Sequence, residues 1–258
     1  MELIMLLRLV CLPLLSSVFA FAPAYSQEVA PIPERELPFK KIIFRVLDLK
    51  TNAPLALGVE TIEVAPGKIT KNTDYFTADK SRDVIQSESA TTDLKNLTIS
   101  EYKFKNSQTG EQVELSMPSP PLARLKYTAK TNENPENFEY RWSSQTVVGK
   151  TLHHYIVRNW TNLLGGKSPE FELFIPMKRD HFKFRVRRDR DVKLRDLQAH
   201  VISLEPSNWA IRALVPRMDF FYTVKSGIPV LVRYEGATTV AINGDDKKEV
   251  AIEFEYES

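Results

Sequence analysis

Few residues in this chain combine a reactive side chain with a spacing that chemistry would use. Gly165-Gly-Lys167-Ser168 resembles the end of a phosphate-binding loop. That loop also needs a glycine five positions before its Gly-Lys pair, and Thr161 stands there. The segment reads instead as a helix stop followed by a loop. His153 and His154 are adjacent, so on a helix they point about 100° apart and cannot chelate one ion together. His181 and His200 lie far off in sequence, no His-Glu-x-x-His pair occurs, and a metal site has no spacing to support it. No Gly-x-Ser-x-Gly elbow is present for acyl transfer, and Ser226-Gly227 reads as a turn. No catalytic residue, metal ligand or cofactor is assigned.

Two features remain. From Lys178 to Arg195 nine bases face three acids. Within this run His181, Lys183, Arg185 and Arg187 alternate with Phe182, Phe184 and Val186, which puts the charges on one face of a strand and the apolar side chains behind. Such a ridge suits a phosphate headgroup or another polyanion. The plainer reading, and the favoured one, is a solvated outer face paired with acids such as Glu249, Glu253, Glu255 and Glu257 of the last strand. The other feature is aromatic density, with Phe138, Tyr140, Trp142, Tyr155, Trp160, Trp209, Phe220, Phe221 and Tyr222 on expected core faces. A curved sheet lined this way either fills its own core or leaves an apolar cavity.

The elements that position these residues are mostly strands. Phe39–Leu47 is β-branched and aromatic. Gly58–Ala65 and Lys68–Thr77 pair across Pro66-Gly67, and Leu97–Lys105 and Glu111–Met117 pair across a five-residue loop. Met117-Pro-Ser-Pro-Pro121 reads as a break in the sheet. Leu122–Lys130 and Phe138–Ser143 follow as a further pair. The period then changes. Val148, Leu152, Tyr155, Ile156, Asn159, Trp160 and Leu163 recur at three- and four-residue steps, with Ser144 as candidate N-cap and Gly165-Gly166 as stop, which predicts one main helix near 145–164. Phe171–Ile175, His181–Arg188, Leu197–Leu204, Trp209–Val215, Asp219–Val224, Val230–Tyr234, Ala237–Ile242 and Val250–Tyr256 read as short strands. The expected fold is α+β: a strongly curved, mostly antiparallel, half-barrel-like sheet with the helix packed on its concave face.

Met1–Gln27 holds one arginine, an apolar run from Leu9 to Phe21 and small residues at Ala22, Ala24 and Ser26. This is the pattern of a secretory signal cut after Ser26 or Ala24. The run is too short for a spanning helix, which needs roughly 20 residues. We therefore expect a signal over 1–26, an extended proline-rich lead-in over 27–38, one β-rich domain over 39–258, a periplasmic location and no membrane anchor after cleavage. Cys11 is the only cysteine, so the mature chain has none for a disulfide, a thiolate nucleophile or a cysteine zinc site. The net charge of +2 argues against a nucleic-acid partner.

Tyr155-Ile-Val-Arg-Asn-Trp160-Thr-Asn-Leu-Leu-Gly165, then Phe171-Glu-Leu-Phe-Ile-Pro176, Phe182–Arg187 and Ile228–Gly236, resembles a family of uncharacterised exported bacterial proteins. The resemblance implies a periplasmic β-rich protein with no catalytic residues to carry over. More remotely, the layout is similar to the curved-sheet periplasmic carriers of lipoproteins and lipids. The reading is a non-catalytic binding or accessory protein for an amphipathic or apolar ligand such as a lipid. Trp160, Tyr155 and Asn159 would face the ligand, and Lys183, Arg185 and Arg187 would face an anionic headgroup. Two alternatives stand beside it: an envelope protein-interaction module with a filled core, and a hydrolase with an unrecognised acid/base site.

Overall fold

The computed structural model describes residues 39–78, 83–131, 133–208, 212, 217–238, 240 and 249–257. The expected signal, the lead-in, most of the expected strand at Trp209–Val215, the end of that at Ala237–Ile242 and the Asn243-Gly244 turn lie outside them. The chain forms β1 (Lys41–Asp48), β2 (Pro54–Ala65), β3 (Lys68–Thr77), β4 (Val84–Asp93), β5 (Thr98–Asn106), β6 (Gln112–Ser119), β7 (Leu122–Thr128) and β8 (Glu136–Arg141). After β9 (Thr146–Val148) come two helices, α1 (Gly149–Arg158) and α2 (Trp160–Leu164). The second half is β10 (Glu170–Ile175), β11 (Asp180–Leu194), β12 (Leu197–Pro206), β13 (Met218–Lys225), β14 (Ile228–Ala237) and β15 (Glu249–Glu257).

All fifteen strands belong to one sheet, in the order β8-β7-β6-β5-β4-β3-β2-β1-β15-β14-β13-β12-β11-β10-β9. Two meanders therefore meet where β1 pairs with β15, from Lys41 opposite Glu257 to Asp48 opposite Val250. Every ladder is antiparallel except β9 with β10, because the chain reaches β10 through a helical crossover. The sheet curls until its two ends approach each other, and among the described residues no ladder joins them. Side chains close this seam. The Tyr140 hydroxyl donates to the Arg179 carbonyl at 2.6 Å, and Arg179 pairs with Glu136 at 3.0 Å. The Arg179 guanidinium lies 5.0 Å from the Tyr127 ring, and Phe174 meets Tyr140 at 5.0 Å and Trp142 at 5.5 Å.

Side chains alone fill a barrel of about eight strands; about twice that number leaves a lumen. Here α1 and α2 occupy the space. Leu152, Ile156 and Leu163 pack on Phe171, Phe184, Val186, Ile202, Leu204 and Tyr222 of one wall. Across the lumen the Arg158 guanidinium donates to the carbonyls of Leu94 and Lys95 at 2.6 and 3.1 Å.

Three expectations need correction. The helix is shorter than 145–164 and broken at Asn159, whose side chain and backbone N–H both donate to the Tyr155 carbonyl. Ser144 does not cap it. β-Branched Thr146-Val147-Val148 instead runs extended along β10, and Val148 is the N-cap, exchanging hydrogen bonds with the Thr151 hydroxyl at 3.2 and 3.0 Å. Nor do the prolines after Met117 break the sheet. β6 and β7 form a tight hairpin whose register shifts between Ser116 and Ser119, and that irregular stretch accommodates Pro118.

One close approach positions the first meander. Gly58 lies opposite Phe44, and a Cβ there would fall 1.9 Å from the Phe44 ring, which meets Tyr75 and Phe254 in the core. Gly58→Ala should cost about 1–3 kcal/mol by overpacking. Urea unfolding is the check, and Phe44→Leu in the same chain should recover most of the loss.

Candidate functional site

Where α1 begins, the strand alternation puts polar side chains into the lumen. On β2 the inward set is Ala56, Gly58, Glu60 and Ile62; on β3 it is Ile69, Lys71, Thr73 and Tyr75; on β4 it includes Gln86, Glu88 and Thr92. All of these are buried. Lys150, in the first turn of α1, enters among them. Its Nζ lies 3.1 Å from Glu60 Oε2, 3.3 Å from Glu88 Oε2 and 2.6 Å from Thr73 Oγ1. The Thr73 hydroxyl donates to Glu60 Oε2 at 2.8 Å, and Lys71 Nζ is 3.6 Å from Glu60 Oε1. Gln86 Nε2 donates to Glu88 Oε1 at 2.8 Å, and Asn106 of β5 donates on to Gln86 at 3.4 Å.

Two lysines balance two carboxylates, and the charges stabilise one another. Burial alone would raise the Glu60 carboxyl, but Lys71, Lys150 and the Thr73 hydrogen bond outweigh it and bring it down to about 2. Burial would lower the Lys150 ammonium, yet Glu88 and Glu60 outweigh that and raise it. The phenols of Tyr75 and Tyr102 are raised, by burial first and then by Glu88. A network this saturated does not present a free acid or base to a substrate. What it does is fix the start of α1 to the β2–β4 wall.

The residues singled out in the sequence divide between the two faces of β11. Trp160, Tyr155 and Asn159 belong to the lumen. Trp160 lies 5.4 Å from the Tyr222 ring and 5.6 Å from His200. Tyr155 packs on Phe171 at 4.6 Å and donates to the Glu170 carbonyl, while Asn159 is used in ending α1. Phe184 and Val186 face this same cluster. Lys183, Arg185 and Arg187 point the other way. Arg185 reaches Glu205 at 2.6 Å, and Arg187 pairs with Asp189 at 3.1 Å and Glu205 at 3.4 Å. These arginines outweigh the burial of Glu205 and hold its carboxyl low. Lys183 is exposed. The neighbouring strand β12 thus neutralises the ridge that β15 was expected to balance. Glu253 and Glu255 pair with Arg45 of β1, and of the basic run Arg195 reaches Glu253.

The luminal cluster itself was not singled out from sequence. The strand β4 was missed because Val-Ile-Gln-Ser-Glu-Ser-Ala-Thr-Thr-Asp lacks apolar alternation. One signal was available: Glu60, Lys71 and Thr73 share parity with Ile62, Ile69 and Tyr75 on two strands that the sequence predicts as a pair.

No protein-family model matches the chain, and no curated protein matches it in sequence. Among solved structures, it is similar to a β-barrel-like protein of a domain of unknown function, DUF1849, from Brucella abortus. The match has a TM-score of 0.53 and 9% identity, covering 84% of this chain and 95% of that one. At that identity the likeness concerns the fold, which is β-barrel-like. A porin-like protein from Bacteroides uniformis aligns over 85% of this chain and 97% of its own at 9% identity, with a TM-score of 0.22 that carries no argument.

Removing Lys150 leaves Glu60 and Glu88 buried without their shared cation. Lys150→Met should therefore destabilise the protein by about 3–5 kcal/mol, read by urea unfolding. Adding Glu88→Gln should restore much of it, because the remaining Glu60 still pairs with Lys71. Glu60 also predicts acid sensitivity. Its folded carboxyl is depressed below the ordinary 4.5, so its contribution is present above pH 4.5 and lost as pH falls toward 2. Over that window Glu60→Gln should flatten the pH dependence of stability by roughly 1 kcal/mol per pH unit.

Proposed function

We propose that this chain is an exported, periplasmic, non-catalytic binding protein for an amphipathic or apolar ligand such as a lipid. The observation that carries the reading is the seam. Elsewhere along the sheet each strand is locked to both neighbours by a ladder, but β8 and the β9–β10 end meet through side chains, mostly aromatic. Parting them breaks the Tyr140–Arg179 hydrogen bond, the Arg179–Glu136 ion pair and ring contacts, and among the described residues costs no backbone rung. Behind the seam lie Phe104, Val113, Leu115 and Leu125, packed with Val148 at the start of α1. An apolar chain entering there would take up space by shifting α1, with Trp160 and Tyr155 as contacts. Arg185 and Arg187 lie on the outer face and are no part of this binding surface.

A second reading has its own support. The Trp160 ring is already covered by Tyr222 and His200, as expected of an envelope protein-contact module with a filled core.

One experiment separates them. Glu136→Cys with Arg179→Cys places two thiols across the seam in a mature chain that has no other cysteine. Before linking, the protein should take up a fluorescent lysophospholipid, and native mass spectrometry should find co-purified lipid. After joining with a short bis-maleimide, uptake should slow at least about tenfold, as for a site behind a closed gate. Absence of lipid and of uptake in the unlinked protein favours the contact module. Equal uptake with the seam joined rejects this route of entry.

A further inference from the structure

The helix in the lumen carries His153 and His154 side by side, with ring centroids 5.4 Å apart. His154 is 1% exposed, and its Nε2 has no hydrogen-bond partner among the described residues. The His153 ring is stacked at 9° on Tyr222 of β13, with Nδ1 and the Tyr222 hydroxyl 3.0 Å apart. The charges around the pair are mostly positive. Lys71 of β3 faces both rings, Glu60 of β2 faces His153, and Arg158 one turn along α1 faces His154. Burial first, and Lys71 next, bring His153 down to about 3 and His154 well below its usual value, so the packed lumen holds two neutral imidazoles.

The helix is attached so that it can move without the sheet. Neither α1 nor α2 supplies a rung to any ladder. Gly149 stands at one end of the helical segment and Gly165-Gly166 at the other, with Gly166 at φ +81. Inside the lumen, Lys150, Arg158 and apolar contacts hold it to the walls. Segments with few backbone bonds to their surroundings open at lower free energy than the whole molecule.

We propose that the His153–His154 pair makes α1 an acid-released plug, which leaves the lumen on mild acidification while the strand ladders stay formed. An imidazole in water takes up a proton below about pH 6.5, whereas within the packed lumen burial opposes it first, then Lys71 and, at His154, Arg158. The released state therefore binds more protons. Its population rises up to about tenfold per pH unit for each histidine, and about a hundredfold for both. The inference does not depend on what the protein binds.

Hydrogen–deuterium exchange on the mature protein without ligand tests it, with rates corrected for intrinsic pH dependence. From pH 7 to pH 5, protection of amides 150–163 should fall by at least tenfold while amides of β2–β5 and β11–β14 keep theirs. In His153→Gln/His154→Gln the helix protection should no longer change with pH. If that variant does not fold, His153→Phe keeps the stack on Tyr222 and should reduce the pH response by up to about tenfold per pH unit. The proposal is overturned if wild-type helix protection is constant to pH 5, if the strands lose protection together with it, or if the histidine variants respond as wild type does.

Discussion

The ammonium of Lys150 between Glu60 and Glu88 is the contact on which the interior depends. A wide curl of strands has to enclose something, and a ten-residue helix does not stay folded on propensity alone. Its apolar side finds a wall in β10–β14. Its first turn finds the other wall only because a cation there meets two buried carboxylates and a threonine hydroxyl. That arrangement ties β2, β3 and β4 to α1, and α1 to the second meander. Without the charge balance, each of these groups would be an expensive buried ion.

The outer face uses the same kind of pairing to weaker effect. Arg185, Arg187, Glu205 and Asp189 form a cross-strand network on β11 and β12, and Arg45, Glu253 and Arg233 form another around β1, β14 and β15. Arg45, Arg185 and Arg187 are nearer solvent than Lys150, although Glu205 is buried, and screening on that side lowers what each pair contributes. Their value is in register. Opposite charges that match at one alignment of two strands repel or miss at the next, so the pattern discourages slippage in a sheet with many similar neighbours.

Much of this could be read from residues. Pro66-Gly67 and the Asn106–Gly110 loop mark their hairpins, and the alternation of Phe182, Phe184 and Val186 marks the inner face of β11. The helix was legible from Leu152, Ile156 and Leu163, but its start was not, since Thr146-Val147-Val148 fits a helix by period and a strand by branching. What stayed hidden was the luminal cluster. Hydrophobic alternation finds strands that face oil, and β4 faces charges. Glu60 and Glu88 stay inconspicuous because their shared partner, Lys150, lies 90 and 62 residues away in sequence. Only the fold makes them neighbours.

The pairing of β1 with β15 bears on the order of assembly. Lys41 opposes Glu257, so the two meanders cannot join until nearly the whole described chain exists. A fold whose central ladder links residues more than 200 positions apart has a large loop-closure cost and forms slowly. While that ladder is missing, β1 and β15 each present an unpaired edge, and the apolar face built from Phe44, Ile252 and Phe254 is open. A chain emerging N-terminus first can pair β1 to β8 with one another, but the outer edge of β1 waits for the last strand. An open edge beside an uncovered apolar face is what a chaperone captures.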